Sequence, residues 1–395
     1  MAPKRKPDDD DDVGESTDEF ANPFDDTMQF TKPVYLVAVR DDDQAAAYSV
    51  LKIDAAAIDA AAVAGNDEPR RVRAVAVLTT GTEPGMSFVT ARSRHGSWIV
   101  GVGGGLRAGT IIFDPGTIIT RLGYPKHKPV LISHGSEVYA ISGTPRVKPS
   151  MDCEPWFESL SFKDGVPSKE CGRWVSWHHL PPPPFFPFSS YAVIGSYILI
   201  SPQPELVVGT YAFHVVNKIW EKIHEKNLPF VGQAVHLGGS LFAACPISNT
   251  ASTSTSASVF HMSIKISSSI PSLSIQKFKV MASVDKITFP LFCPMGMGSF
   301  CCIRLGPSRL RHRRKTNYRR WRSPKTSCLK EVHVISTAFR IENIEAIMTH
   351  CQSQESKAKD QLLALQVKEQ MHSCESKEIH GLLGSGIPVV AALSM

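Results

Sequence analysis

The sequence predicts an all-β fold, an irregular β-propeller of five or six blades. Five Gly-Ser pairs each lead into a short apolar run, and they begin at Gly96, Gly135, Gly195, Gly239 and Gly298. The steps between these pairs are 39, 60, 44 and 59 residues, which is the range of blade-sized repeats. The 28 prolines and 27 glycines also favour many short strands joined by turns. We expect each Gly-Ser pair to lie in a turn that opens one strand per blade.

Each unit also carries a strand with an aromatic residue inside it. The four phenylalanines concerned, Phe113, Phe157, Phe213 and Phe260, lie 44, 56 and 47 residues apart, so they follow the Gly-Ser pairs. A further strand carries a tryptophan in two units, Trp177 and Trp220. Four short antiparallel strands per unit, with aromatic side chains between the sheets, are typical of a propeller blade. We therefore expect the four phenylalanines to be buried at equivalent places in successive blades.

Two of these units resemble kelch repeats. The segments "GSWIVGVGGG…TIIFD" and "GSEVYAISG…WFESLSF…WVSWHHLPPPP" are similar to the kelch pattern of four hydrophobic residues, a diglycine, an aromatic residue and a later tryptophan. Phe213 and Trp220 have the kelch spacing, and Gly103 and Gly104 stand where the diglycine belongs, whereas the diglycine is single or missing after Ala140 and Leu199. The stretch from "EPWFESL" to "LPPPPFFP" further resembles uncharacterised plant kelch-like proteins. The resemblance covers roughly residues 34–305, and it implies a kelch-like propeller whose loop face takes another protein.

The two ends of the chain differ from this middle region. Residues 1–26 contain ten acidic and three basic side chains, although the whole chain has a formal charge of +6. Residues 1–33 are therefore predicted to be a disordered, charged N-terminus. The propeller is expected to span residues 34–341, and residues 342–395 are expected to form a helical or disordered tail outside the ring, because their composition favours helices.

A basic segment interrupts the last predicted blade. Between Arg309 and Arg322 it holds eight basic residues: Arg309, Arg311, Arg313, Arg314, Lys315, Arg319, Arg320 and Arg322. We expect residues 306–328 to form an insertion, and Phe300 to Ile303 to pair antiparallel with part of Val332 to Ile341, because an apolar strand needs a neighbour. The segment is interpreted as a nuclear import signal or a solvated insertion. Nucleic-acid binding is the alternative, with Tyr318 and Trp321 stacking on bases.

No catalytic, cofactor-binding or metal site is predicted. The glycines at 101–105 could suggest a phosphate-binding loop, but "TIIFD" reads as a strand where such a loop needs a helix. Cys153, Cys171, His178 and His179 match the spacing of no zinc module. The nine cysteines are odd in number, which favours free thiols in a reducing compartment. We expect a cytoplasmic or nuclear protein that does not enter a membrane, because no apolar stretch reaches spanning length.

The predicted function is that of a non-enzymatic protein-interaction scaffold, with an unidentified protein partner on the loop face of the propeller. The alternative is a nucleic-acid-associated protein that uses the basic segment, and an enzyme with its site in the central funnel is least favoured. The "LPPPPFFP" stretch has two interpretations. It could present a polyproline II ligand to an aromatic groove, or it could be a covered loop between two blades, which we favour.

Overall fold

The structure is a computed structural model, and it describes most of the strands that the sequence predicts. The described residues are 33–42, 45–53, 70–71, 74–79, 85–93, 96–103, 110–114, 117–122, 129–143, 156–162, 175–202, 204–247, 257–267, 270–279, 291–296, 298–307, 332–353, 366–376 and 389–395. The predicted disordered residues 1–32 and most of the predicted basic insertion lie outside these ranges.

Short strands dominate the described ranges. In chain order they are β1 (Val34–Asp42), β2 (Ala45–Ile53), β3 (Arg70–Arg71), β4 (Ala74–Thr79), β5 (Met86–Ser93), β6 (Gly96–Gly103), β7 (Thr110–Asp114), β8 (Thr117–Leu122), β9 (Pro129–His134), β10 (Glu137–Ser142), β11 (Phe157–Phe162), β12 (Val175–His179), β13 (Phe188–Ile194), β14 (Tyr197–Pro202), β15 (Thr210–His214), β16 (Ile219–His224), β17 (Phe230–Gly238), β18 (Leu241–Pro246), β19 (Ser258–Ser267), β20 (Ile270–Lys279), β21 (Leu291–Gly296), β22 (Ser299–Pro307), β23 (Val332–Ile341), β24 (Val367–Ser376) and β25 (Val389–Ser394). A helix, α1 (Ile344–Ser353), lies between β23 and β24.

The described strands form six four-stranded blades. Blade 1 has the strand order β25-β1-β2-β4, and blades 2 to 6 are β5 to β8, β9 to β12, β13 to β16, β17 to β20 and β21 to β24. Neighbouring strands within a blade are antiparallel, and the two-residue β3 adds to β24 in parallel. The innermost strands of blades 4 and 5, β13 and β17, also pair in parallel at Ser190 and Tyr191. The fold is thus an all-β propeller.

Each seam between neighbouring blades holds its own hydrophobic core. Six clusters of buried residues occur in the described ranges, and each combines side chains from two adjacent blades. The seam between blades 6 and 1, for example, joins Leu36 of β1 to Cys301 and Ile303 of β22. Because six seams join six blades, the ring is closed, and in the described ranges each blade buries apolar side chains against both of its neighbours.

The ring is closed by a late strand. Strand β25 is the innermost strand of blade 1, and it pairs antiparallel with β1 from Val34 opposite Ser394 to Ala38 opposite Val389. This arrangement explains why five Gly-Ser pairs accompany six blades. In blades 2 to 6 a hairpin joins the first two strands, whereas in blade 1 those two strands come from distant parts of the sequence.

The predicted tail is therefore corrected. Residues 344–353 are helical, in agreement with the prediction, but residues 367–376 and 389–394 are strands within blades 6 and 1. Strand β24, "VKEQMHSCES", has little β-branched character, so its sequence does not favour a strand. Its conformation follows from pairing with β23 over ten residues, from Val332 opposite Ser376 to Ile341 opposite Val367. Tertiary pairing overrides the local preference for helix.

The predicted partner of the last Gly-Ser strand is confirmed. Strands β22 and β23 pair antiparallel from Ser299 opposite Arg340 to Pro307 opposite Val332. The pairing includes Gly306 and Pro307, which were expected to belong to the insertion. The connection between the two strands therefore begins at residue 308.

Gly135, Gly195, Gly239 and Gly298 lie in the turns between the first and second strands of blades 3 to 6, whereas Gly96 is the first residue of β6, directly after the same connection in blade 2. All five glycines have a positive φ, with values of 148° for Gly96, 58° for Gly135, 52° for Gly195, 53° for Gly239 and 68° for Gly298. Backbone with a positive φ is strained for residues that have a Cβ atom. At Gly298 the turn also joins two blades, because its N–H donates to the carbonyl oxygen of Leu237 at 2.6 Å.

The four phenylalanines are all buried on the third strand of their blades, but one faces the other way. Phe113, Phe213 and Phe260 each lie opposite the third residue after the Gly of the Gly-Ser pair, and they point into the seam with the preceding blade. Phe157 lies opposite the sixth residue, Ile141, and points into the seam with the following blade. The pairing position of Phe157 thus differs by three residues from that of the other phenylalanines. Because successive residues of a strand point to opposite faces of the sheet, an odd difference turns the side chain to the opposite face. The expectation of four equivalent places is corrected to three.

Each of the two predicted tryptophans lies on the fourth strand of its blade, opposite the residue at the common phenylalanine position of the third strand. Trp220 lies opposite Phe213, and Trp177 lies opposite Leu160, which occupies the phenylalanine position in blade 3. The reversed Phe157 ring packs against Phe213 with centroids 4.7 Å apart and against Trp220 at 5.4 Å. The seam between blades 3 and 4 is therefore the most aromatic core of the described ring.

Candidate interaction surface

The topology separates two ends of the ring. The Gly-Ser turns lie at one end, which we call the Gly-Ser end. At the opposite end, the loop end, the chain passes from second to third strands and from one blade to the next. Three connections of the loop end are described in full or nearly so, and all belong to blades 3 to 5: residues 180–187, 204–209 and 225–229.

The loop of residues 204–209 is held by one side chain of a neighbouring connection. The Nδ2 of Asn227 donates to the carbonyl oxygen of Leu206 at 2.7 Å, and the Oδ1 of Asn227 accepts from the N–H of Gly209 at 3.0 Å. Thr210 follows the loop, and its hydroxyl donates to the carbonyl oxygen of Lys226 at 2.8 Å. The loop backbone is thus bound at both ends, so its tip is held in one conformation.

Gly209 is essential for this close approach. Its φ is 104°, and a Cβ atom at this position would lie 2.5 Å from the carbonyl oxygen of His224. Real Cβ atoms do not come so close to a backbone oxygen, so the two connections would have to separate.

We expect Gly209→Ala to lower the free energy of unfolding by about 3 kcal/mol, because it combines a positive φ with a backbone clash. Gly135→Ala is the matched control, since Gly135 also has a positive φ but nothing within 4 Å of the new Cβ atom. The control should lose only about 1 kcal/mol. Urea unfolding of both variants measures the difference, and equal losses would contradict the clash.

The tip of the fixed loop carries an exposed apolar run. Val207 is 81% exposed, Leu206 is 41% exposed, and Val208 is 36% exposed. Three consecutive exposed aliphatic side chains on a rigid backbone form a small apolar patch of the kind found at protein interfaces. The sequence "PELVVG" contains this run, three apolar residues between Pro204 and Gly209, but it was not among the predicted binding residues because a short apolar run also fits the beginning of a strand.

Charges of both signs surround the apolar run. Glu205 precedes it, and Lys226 lies in the adjacent connection, both exposed. Nearby, the Nζ of Lys222 lies 2.6 Å from the Oε2 of Glu225 at the surface. Exposed ion pairs contribute little to stability. An apolar centre with a mixed polar rim is the composition typical of a protein-binding surface.

The proline-rich connection of residues 180–187 lies next to this loop. Phe186 is buried, and its ring centroid is 5.6 Å from that of Tyr211, which follows the 204–209 loop. Pro181 and Pro182 are exposed, and Phe185 is 64% exposed. The expectation of a covered interblade loop is therefore wrong for these three residues. The two ends of the segment are covered, whereas its middle is displayed.

The chain is a member of a known family. A family model described as "Protein of unknown function (DUF1668)" matches residues 31–372, which is most of the chain. The protein belongs to the DUF1668 family. The match runs from just before β1 to within β24, so it contains β1 to β23 and the first part of β24, and it ends before β25. No curated protein matches the chain.

Two solved structures are similar to this DUF1668 protein. The WD40 domain of SCAP from fission yeast is 8% identical, with 86% of this chain and 76% of that chain covered and a TM-score of 0.33. The structure of YjhT is 9% identical, with 68% of this chain and 90% of that chain covered and a TM-score of 0.32.

The residues singled out for nucleic-acid binding lie outside the described residues. Arg309, Arg311, Arg313, Arg314, Lys315, Arg319, Arg320 and Arg322 all fall between Pro307, the last residue of β22, and Val332, the first of β23. Both of those strand ends are at the loop end of the ring. Nucleic-acid binding or nuclear import through this segment stays a prediction from the sequence.

The candidate metal ligands do not form a described site. Cys153 and Cys171 lie outside the described ranges. Among the residues that the structure describes, no three His, Cys, Asp or Glu residues group closely enough to hold a metal ion. His179 lies at the end of β12, where its Nδ1 is 3.1 Å from the Oε1 of the buried Glu158. The buried cysteines at 245, 293, 301 and 302 are thiols outside any disulfide, and burial raises the pKa of Cys293. No described helix is long and apolar enough to cross a membrane.

Proposed function

We propose that this DUF1668 protein is a non-enzymatic protein-interaction scaffold whose partner binds at the loop end, on the surface around Val207. One observation carries the proposal: an 81% exposed valine stands between two exposed aliphatic residues on a loop that Asn227 holds in place. Burying each such side chain in an interface contributes up to about 1.5–3 kcal/mol. A loop that is already ordered loses little conformational entropy on binding.

The propeller supports this use of the surface. Its six seams are filled by buried side chains, so the strands form a rigid frame, and loops on a rigid frame are suited to binding. The proposal places the protein in the cytoplasm or nucleus. The cysteines at 245, 293, 301 and 302 are thiols rather than disulfides, which supports a reducing compartment, where thiols persist.

Replacing Leu206, Val207 and Val208 with serine is expected to abolish partner binding and to leave folding intact. All three side chains are solvent-exposed, so their loss should change the free energy of unfolding by less than about 0.5 kcal/mol each. The measurement is quantitative affinity purification from cells, followed by titration of the purified partner. We expect at least roughly a tenfold loss of affinity, since each 1.4 kcal/mol lost is tenfold.

The matched control replaces Val216 and Ile219, which are exposed at the Gly-Ser end. It removes a similar amount of exposed aliphatic surface from the opposite end of the same ring. A partner that binds the control and the unmodified protein equally, but not the triple variant, supports the proposal. Equal binding to all three proteins, or loss only in the control, would contradict it.

A further inference from the structure

We propose that residues 180–187, "LPPPPFFP", are a displayed polyproline II ligand for a protein domain with an aromatic-lined groove. This binding site is distinct from the surface around Val207. The two proposals are independent, so an experiment can contradict one of them and leave the other standing. The inference rests on the backbone, the attachment and the exposure of the segment.

The backbone conformation follows from four consecutive prolines. Pro181, Pro182, Pro183 and Pro184 each have φ restricted to about −65° and lack an N–H group. A residue that precedes proline is also kept out of the helical region. Residues 180–184 accordingly belong to no helix, strand or turn. Polyproline II is the conformation that satisfies both restrictions, and its backbone needs no internal hydrogen bonds.

The segment is fixed to two blades. The N–H of Leu180 donates to the carbonyl oxygen of Phe157 in blade 3 at 3.1 Å. The Nε1 of Trp220 in blade 4 donates to the carbonyl oxygen of Pro181, also at 3.1 Å. At the other end Phe186 is buried in the seam between the same two blades. Anchors on both sides of the prolines hold the segment across the surface of the ring.

The outward side of the segment is apolar and exposed. Pro181 and Pro182 are exposed, and Phe185 extends from the following turn against Trp156, with ring centroids 5.3 Å apart. Prolines that served only to fill the seam would be buried. The structure instead buries the flanking Phe186 and Phe188. It leaves Pro181 and Pro182 exposed, and Pro183 and Pro184 are half-buried.

This combination points to a partner of defined chemistry. Domains that recognise polyproline II helices dock the proline rings of a Pro-x-x-Pro segment into grooves lined by aromatic side chains. Pro181 and Pro184 have that spacing, and the extended stretch ends at Pro184, whose carbonyl oxygen accepts from the N–H of Phe186 in the following bend. In a free peptide the extended form is only partly populated, whereas here the fold holds it in place. The fold should therefore bind more tightly than the excised peptide, because less conformational entropy is lost.

The test titrates the full-length protein into a panel of purified, isotope-labelled SH3, WW and EVH1 domains and follows the resonances of their aromatic groove residues. We expect at least one domain to bind through its groove. The double variant Pro181→Ala/Phe185→Ser should weaken that binding about tenfold or more, and the full chain should bind about tenfold more tightly than a peptide of residues 179–188. Both replaced side chains are exposed, so circular dichroism should show an unchanged fold.

Two control variants separate this site from the surface around Val207. Pro204→Ala replaces an exposed proline of the neighbouring loop, and the triple serine variant at 206–208 removes the apolar run. Both should bind the panel domain as the unmodified protein does. The proposal is overturned if no domain binds, if the peptide binds but the full chain does not, or if the triple variant loses binding while the Pro181→Ala/Phe185→Ser variant keeps it.

Discussion

Phe213→Ala is expected to lower the free energy of unfolding by about 3–5 kcal/mol. Phe213 is fully buried, and its ring lies between aromatic residues of two blades: Phe157 at 4.7 Å, Trp220 at 5.1 Å and Tyr139 at 6.3 Å between centroids. Removing the ring leaves a cavity that the strands cannot close, because the hydrogen-bonded blades on both sides hold the seam open. Lost edge-to-face contacts add to the loss of buried area.

Urea unfolding followed by tryptophan fluorescence would measure this effect, because Trp220 contacts Phe213 directly. Phe185→Ala is the matched control, since it removes the same ring from an exposed position in the neighbouring connection. The control should lose less than about 1 kcal/mol. Similar losses in the two variants would mean that the core between blades 3 and 4 is not packed as described.

Deletion of residues 389–395 is expected to open the ring. These residues form β25, which lies between β1 in its own blade and the innermost strands of blades 2 and 6. Burial of Leu393 contributes about 1.5–3 kcal/mol, and each lost hydrogen bond of the ladder contributes about 0.5–1.5 kcal/mol. The loss should therefore exceed about 4 kcal/mol. Strand β1 would keep its pairing with β2 but become an apolar edge strand of its blade, which should also promote association.

Thermal unfolding and size-exclusion chromatography of the truncated protein would test this expectation. A synthetic peptide of residues 387–395 supplied in trans should restore the melting temperature, because it can occupy the vacant position beside β1. The same peptide with Leu393→Asp should not, since a buried unpaired carboxylate is strongly unfavourable. A truncated protein that melts like the full chain and stays monomeric would show that β25 does not close the ring.

Some features of this fold could be predicted because short sequence patterns encode them. A Gly-Ser pair followed by a continuous apolar run specifies a turn and a buried strand within about ten residues, so the five pairs indicated five hairpins. The pairing of β22 with β23 could be inferred because each segment has strong β-branched or aromatic character and no other partner was near in sequence. These inferences need only local sterics and the burial of one apolar face.

The candidate surface was less predictable. The sequence identified "LPPPPFFP" as a possible polyproline II ligand. Whether the segment is covered or exposed, however, depends on how far the strands and connections of the neighbouring blades extend over it. The run from Leu206 to Val208 resembles the beginning of a strand, and only its attachment to Asn227 turns it into an exposed tip. Exposure is a property of packing, so composition alone could not decide either case.

Residue pattern alone determined the all-β class, the repeat and the turns that open five of the blades. Tertiary structure decided that there are six blades, because β25 pairs with β1 more than 300 residues away in the chain. It also decided that β24 is a strand, because β23 offers it ten pairing positions. Finally, it decided that Phe157 points into the seam with the following blade while Phe213 points into the seam with the preceding blade. The physical reason is the same in each instance. Local patterns select a conformation through sterics and burial of one face, whereas strand partners and the direction of a ring depend on contacts between segments that the sequence places far apart.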